Sequence, residues 1–181
     1  MKSTITSFAA DEWILESQRL RYRKINEGDF EELKAMLSDP KVMYAWEHTF
    51  SDQLISNWIK NQLSYYRQDG VGYFAAIEKD SSAFVGQMGL HRFSRDNQIA
   101  FEVCYMLKNQ YQHNGYALEG VQALTEYAFA NMGLGIVYAQ IKTDNITSIK
   151  VAEKARFIKQ SVFIKHYNGK DMEHSLYAKT L

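Results

Sequence analysis

The hydrophobic period of this chain switches between two and about 3.6 in an order that leaves few architectures open. Leu20-Arg21-Tyr22-Arg23-Lys24-Ile25 alternates apolar and basic residues, as a half-buried strand does. Asn26 suits a helix cap, with Asp29 and Glu31 in the first turn. Phe30, Leu33, Met36 and Leu37 then share one helical face, and Pro40, the single proline, marks the stop. Ser51-Asp52 opens a second helix with the face Leu54, Ile55, Trp58, Ile59, Leu63 and Tyr66. Tyr73 to Ile77 and Phe84 to Leu90 read as a hairpin through Lys79-Asp80-Ser81-Ser82. Arg95-Asp96-Asn97 turns into a third strand, Ile99 to Leu107, followed by a polar loop, Lys108 to Asn114.

A long helix is expected from Tyr116 to Met132, its face set by Ala117, Leu118, Val121, Leu124, Ala128 and Phe129, with Gly133 at its end. Ile136 to Ile141 reads as a strand and Asn145 to Lys154 as a short helix. Phe157 to His166 and Met172 to Lys179 form a last hairpin through Asn168-Gly169, a type I′ pair. Strand, two helices, three antiparallel strands, helix, strand, helix and two strands predict an α+β fold, a mixed and mostly antiparallel sheet flanked by helices. No Gly/Ser/Pro-rich linker interrupts this order, so one domain over residues 1–181 is expected, with residues 1–14 as an N-terminal arm.

Charge and cysteine content narrow the function. Lys plus Arg and Asp plus Glu are both 21, so the net charge is zero. Sequence-independent nucleic-acid binding needs clustered positive charge, and the overall balance argues against it. Cys104 is the only cysteine, which excludes an internal disulfide and argues against a zinc or iron–sulfur framework. His48, His91, His166 and His174 lack ligand-like spacing, so no metal is expected. No stretch is apolar enough to span a bilayer, and the first residues do not read as a signal peptide. A reducing, cytoplasmic setting, away from membranes and nucleic acid, is the expectation.

The segment Phe101 to Ala117 carries the chemistry. A strand runs into a polar turn with Gly115 and then into a helix. Glycine permits positive φ and close approach of backbone, and a helix start presents free N–H groups and the positive end of its dipole. Together these suit a phosphate or pyrophosphate. The same residues also fit a plain strand-to-helix turn, and short glycine patterns often arise by chance.

The wider pattern is more specific. Gln112-x-x-Gly115-x-Ala117 resembles the pyrophosphate loop of the GNAT N-acetyltransferase superfamily. Phe101 to Leu107 is similar to that family's fourth strand, and Tyr116 to Val121 to the helix after the loop. Asn145-x-x-Ser148-x-x-Val151-x-Glu153-Lys154, followed by Phe157, resembles a second family signature. Leu20-Arg21-Tyr22-Arg23 and Leu37 to Met43 resemble the branch that includes the ribosomal-protein N-terminal (alanine/serine) acetyltransferases.

The resemblance implies a fold with a splayed central strand pair and an acetyl-CoA cosubstrate lying in the splay. The pantetheine arm would bond to backbone near Tyr105, Met106 and Leu107. The pyrophosphate would sit on N–H groups of Gln112, His113, Asn114, Gly115, Tyr116 and Ala117. Asn145 would bond near the pantetheine or acyl end, and Ser148 would lie near the sulfur as the candidate acid. Two positions depart from the family. Asn114 stands where a basic residue is common, which removes a charge from the loop. Arg156 stands where a glycine precedes the Phe, either straining a helix end or adding charge near the cofactor.

Acyl transfer from a thioester to an amine needs a neutral amine, donors for the oxyanion and a proton for the departing thiolate. Glu102 is the candidate base, acting through water; its ordinary alternative is a solvated or ion-paired residue on a strand face. Ser148 and Asn145 also read as helix-start and N-cap residues. Cys104 sits mid-strand among apolar neighbours, where a neutral thiol is the default, so it is not taken as a nucleophile.

The acceptor side would be built from Met43 to His48 and the region from Phe163 to Met172, where Glu47 and aromatics could receive a cationic amine. Core packing of Tyr44 and Trp46 is the simpler reading of those aromatics. The expected activity is acetyl transfer to a primary amine, whether a protein or peptide N-terminus, a polyamine or another small amine, by a monomer or homodimer. The alternative is a non-catalytic acyl-CoA-binding module on the same fold.

Overall fold

In the computed structural model, which describes residues 13–181, the alternating segments pair into one eight-stranded sheet. The strands are β1 (Leu15–Glu16), β2 (Leu20–Lys24), β3 (Tyr73–Glu78), β4 (Phe84–Arg95), β5 (Gln98–Leu107), β6 (Ile136–Lys142), β7 (Ile158–Tyr167) and β8 (Lys170–Thr180). Their spatial order is β1-β2-β3-β4-β5-β6-β8-β7. Every neighbouring pair is antiparallel except β5 and β6, which run parallel across a helical crossover. The helices are α1 (Phe30–Leu37), α2 (Asp52–Asp69), α3 (Tyr116–Met132) and α4 (Ile146–Lys154). This is the expected mixed α+β architecture. Residues 1–12 of the expected N-terminal arm lie outside the described residues.

Local chemistry accounts for the boundaries. Asn26 and Asp29 form a reciprocal capping box, although the first piece it caps is a 3₁₀ turn, Glu27–Asp29, leading into α1. Arg23 holds the buried Asp29 with two bonds of 2.7 and 2.8 Å. Ser51 caps α2 by accepting from the Leu54 N–H, and Gly70 ends it at φ +73°. β4 continues five residues past its expected end at Leu90. Asp96 and Asn97, at φ +50° and +61°, make a tight turn that keeps the ladder closed to Arg95 and Gln98. The outer half of β4 alternates half-buried with exposed residues, which makes it polar enough to look like loop.

The sheet separates two cores. One face packs Leu20, Tyr22, Phe74, Val85 and Met88 against Val121 and Leu124 of α3. The other packs Ile25, Tyr73, Ala75, Ile77 and Met106 against Leu33, Met36, Ile55 and Ile59 of α1 and α2. Along β5 the period of two therefore directs Val103, Tyr105 and Leu107 toward α3 and α4, and Glu102, Cys104 and Met106 toward α1 and α2.

Arg156 resolves one open reading. It holds φ +66° directly after α4, while the Phe157 N–H bonds back to the Ala152 carbonyl at 2.9 Å. That is a helix stop normally made by glycine. A left-handed L-residue costs roughly 1–2 kcal/mol, partly offset by the chain entropy that glycine loses on folding. Arg156→Gly is therefore expected to stabilise the fold by about 0.5–1 kcal/mol in urea unfolding.

Candidate active site

The parallel junction of β5 and β6 is barely closed. One bridge, Glu102 to Tyr138, joins the two strands, whereas β4 pairs with β5 as far as Gly86 and Leu107. Beyond Glu102 the β6-facing N–H and C=O groups of β5 have no strand opposite them among the described residues. Backbone groups left this way call for another partner. The opening lies beside Tyr105, Met106 and Leu107.

Glu102 stands at the point of divergence. Its Oε2 accepts the Gln140 N–H across the gap at 3.2 Å. Burial raises its carboxyl pKa, while the charge of Lys165 and the Gln140 bond pull the other way. His91 is its register partner on β4. The buried His91 Nε2 has no hydrogen-bond partner among the described residues, and burial lowers its pKa to about 4, so the ring is neutral. Cys104 lies on the same face, and burial pushes its thiol well above the ordinary range. A thiol so held is a poor nucleophile.

On the α4 side Asn145 caps the helix. Its Oδ1 accepts from the Ser148 N–H at 3.1 Å and from the Tyr44 hydroxyl at 2.6 Å. Both lone pairs are used, so the Nδ2 group is what Asn145 has left to offer a ligand. Ser148 is half-buried in the first turn of α4. The Tyr105 hydroxyl is buried without a partner in hydrogen-bond geometry among the described residues. It lies close enough to Ser148 to feel its hydroxyl, and burial pushes it up to about 12. The side chain of Tyr105 escaped the sequence reading, which used only its backbone.

The loop before α3 has the conformation its glycine suggested. His113 and Gly115 have φ +62° and +82°, and Gly115 caps α3 without any side-chain bond to the first N–H groups. The helix start is open to an anion. Gln112 ties the loop to β5 by donating to the Leu107 carbonyl at 3.2 Å. Arg19 Nη1 donates to the Asn114 carbonyl at 3.0 Å, and the guanidinium stacks 4.2 Å from the Tyr116 ring centre. A guanidinium thus reaches a loop whose own sequence lacks the usual basic residue, although Glu119 pairs with it at 2.8 Å.

A cleft of ≈ 1020 Å³ joins the β5–β6 junction to the start of α4. Glu102, Tyr105, Asn145 and Ser148 line it together, and it reaches α3 at Val121. Met106, Leu107 and the Gln112–Ala117 loop flank the cleft without lining it. Trp46, Trp58 and Tyr167 wall the other end, with Trp46 edge-on to Trp58 at 6.0 Å and to Tyr167 at 5.2 Å. Tyr44 does not line the cleft and is half exposed. Glu47 does not offer a free carboxylate to a cation. Lys142 and Lys170 each hold it at 2.7 Å and pull its pKa down to about 2.

A mixed sheet split between two parallel strands, with an uncapped helix start beside the split, defines a GNAT-type acetyltransferase fold. The family model for the acetyltransferase (GNAT) domain matches residues 19–158, and the chain belongs to that family. It is 30% identical to the Bacillus subtilis protein YkkB over 141 residues, covering 77% of this chain and 82% of that protein. A GNAT acetyltransferase structure from Bacillus anthracis superposes with a TM-score of 0.78 at 24% identity, covering 91% of this chain and 96% of that one. Spermidine N-acetyltransferase from Vibrio cholerae, solved with CoA and spermine, superposes with a TM-score of 0.73 at 14% identity, covering 90% and 95%.

Proposed function

We propose that the protein transfers an acetyl group directly from acetyl-CoA to a primary amine. The observation that carries this reading is the gathering of Glu102, the open edge of β5 and the Asn145–Ser148 helix start in one cleft. The cosubstrate fits the residues present, because the first N–H groups of α3 lack a side-chain cap and suit a pyrophosphate. Acetyl-CoA supplies the activated acyl group.

The chain's own groups do the rest. Open N–H and C=O groups of β5 near Tyr105 to Leu107 hold the pantetheine amides. Asn145 donates from Nδ2. Glu102 takes the amine proton through water, and its burial-raised pKa makes it a stronger base than an exposed carboxylate. A β5 N–H facing the gap stabilises the oxyanion. Ser148 returns a proton to the departing thiolate, with the Tyr105 hydroxyl beside it. The Leu20–Arg23 and Leu37–Met43 segments support placing the chain with the ribosomal-protein N-terminal branch.

Purified protein incubated with acetyl-CoA and a panel of amines and short peptides should release free thiol with at least one acceptor. CoA binding without turnover on any acceptor would favour a binding module, and no CoA binding would remove both readings. Ser148→Ala is expected to lower kcat about tenfold with little change in KM for acetyl-CoA. That is less than the roughly 10²–10⁴ of a lone general acid, because the Tyr105 hydroxyl remains.

A further inference from the structure

The cleft has an uneven charge inventory. Its walls bring Arg92, Arg95, Lys142 and Lys165 together with one carboxylate, Glu102. Two of the cations are answered locally. Lys142 pairs with Glu47 and Asp144 at 2.7 and 3.0 Å, and Arg92 meets Asp69 at 3.3 Å. Arg95 stacks 4.8 Å from the Tyr138 ring centre, and its only bridging carboxylate, the highly exposed Asp96, is 3.5 Å away.

Lys165 is different. It sits on β7 opposite Met172, half-buried, and its single hydrogen bond among the described residues is a long one of 3.4 Å to the Gln140 Oε1. Among the described residues no carboxylate bridges it, yet its charge reaches His91, Glu102, Cys104 and His174. An ammonium so placed acts on the middle of the cleft. Such a group calls for an anion, and it repels a second positive charge on any amine that enters.

We propose that Lys165 anchors a carboxylate of the acceptor, so that the amine acetylated here belongs to an amino acid or to an acidic peptide N-terminus rather than to a polyamine. The inference rests on the acetyltransferase reading and deepens it. Glu102 and Lys165 bring opposite charges to one cleft, complementary to an ammonium and a carboxylate on one molecule. Polyamines bring only cations to that cleft, and the nearby Glu47 is already held by two lysines.

The test compares matched acceptors that differ in one group: β-alanine and γ-aminobutyrate, their amides, a linear diamine and spermidine, and peptides with Asp or Lys after the N-terminal residue. Thiol release should give the carboxylate-bearing acceptors a kcat/KM about tenfold or more above their amides. Free amino acids and acidic peptides are separate arms, so the same series tells which source is used. Lys165→Gln should bring each pair within about twofold, and Lys165→Glu should turn the preference toward diamines. KM for acetyl-CoA should stay unchanged in both, and thermal melts check that both fold.

Trp46 and Trp58 line the pocket, so tryptophan fluorescence titration, with and without CoA, reads the same preference if no acceptor is turned over. Equal affinity for acid and amide, a preference for polyamines, or a preference that survives Lys165→Gln would overturn the proposal. A Lys165→Gln variant slowed equally on all acceptors would also overturn it, since that pattern belongs to tuning of Glu102. Loss of CoA binding in the wild type would instead count against the acetyltransferase reading.

Discussion

Glu102→Gln is expected to lower kcat about a hundredfold, at the lower end of what a general base contributes, while KM for acetyl-CoA stays within about twofold. The substitution keeps the side chain's shape and its acceptor for the Gln140 N–H, so the junction of β5 and β6 stays tied. What it removes is the group proposed to take the amine proton. Wild-type kcat/KM should rise with pH through a pKa above the ordinary carboxylate range, because burial raises it. That acidic limb should vanish in the variant. Stability should move the other way. A folded-state pKa raised above the unfolded value contributes stability at low pH, and that stability is lost as pH rises through the folded pKa. The uncharged Gln variant escapes the loss, so its Tm should exceed the wild type's near neutral pH and converge with it in acid. Unchanged turnover in Glu102→Gln would remove the residue from the mechanism.

Gly89→Ala is expected to cause the largest loss of stability, about 3 kcal/mol, toward the upper range for overpacking. Gly89 lies in β4 between Tyr73 of β3 and Cys104 of β5. A Cβ there would run into the Gly72 carbonyl and the Tyr73 Cα, which are backbone atoms with no rotamer to retreat to. The Gly72 carbonyl also accepts the Leu90 N–H at 3.2 Å, so moving it breaks a bond. β3 must shift away from β4 beside Tyr73, which lines the cleft. Urea unfolding should show the loss, and Tm should fall by roughly 10 °C. Gly135→Ala is the control. Nothing lies within 4 Å of its Cβ, so its effect should stay within about 0.5 kcal/mol.

Most elements were legible because their signals are local. Tyr116 and Gly133 bracket α3 as expected, and Asn168 and Gly169, at φ +50° and +73°, make the tight turn their side chains favour. Asn26, Ser51 and Asn145 all cap where they were expected to. The far half of β4 was missed because its partner is β5, and pairing rather than apolar content extends it to Arg95. Sequence resemblance alone suggested the split between β5 and β6, since no residue in either strand encodes the absence of a neighbour.

The site was legible in the same proportion. Glu102, Asn145 and Ser148 were singled out on a strand and a helix start, and the fold brings all three to one cleft. His91 and Lys165 were not assigned, because neither has a local pattern. They reach Glu102 only once β4 pairs with β5 and β8 brings β7 to the far side of β6. Glu47 looked available to a cation until the fold set Lys142 and Lys170 against it.

Mass spectrometry of a quenched reaction separates direct acetyl transfer to an amine from transfer through an acylated protein and from binding alone. Protein, acetyl-CoA and the best acceptor are mixed, stopped at intervals, and both the acceptor and the intact protein are weighed. The acceptor should gain one acetyl group in step with released CoA, and the protein should carry no acetyl adduct at Cys104 or elsewhere. An acetylated protein that later passes its acyl group on, or bound CoA with every acceptor unmodified, would rule out direct transfer.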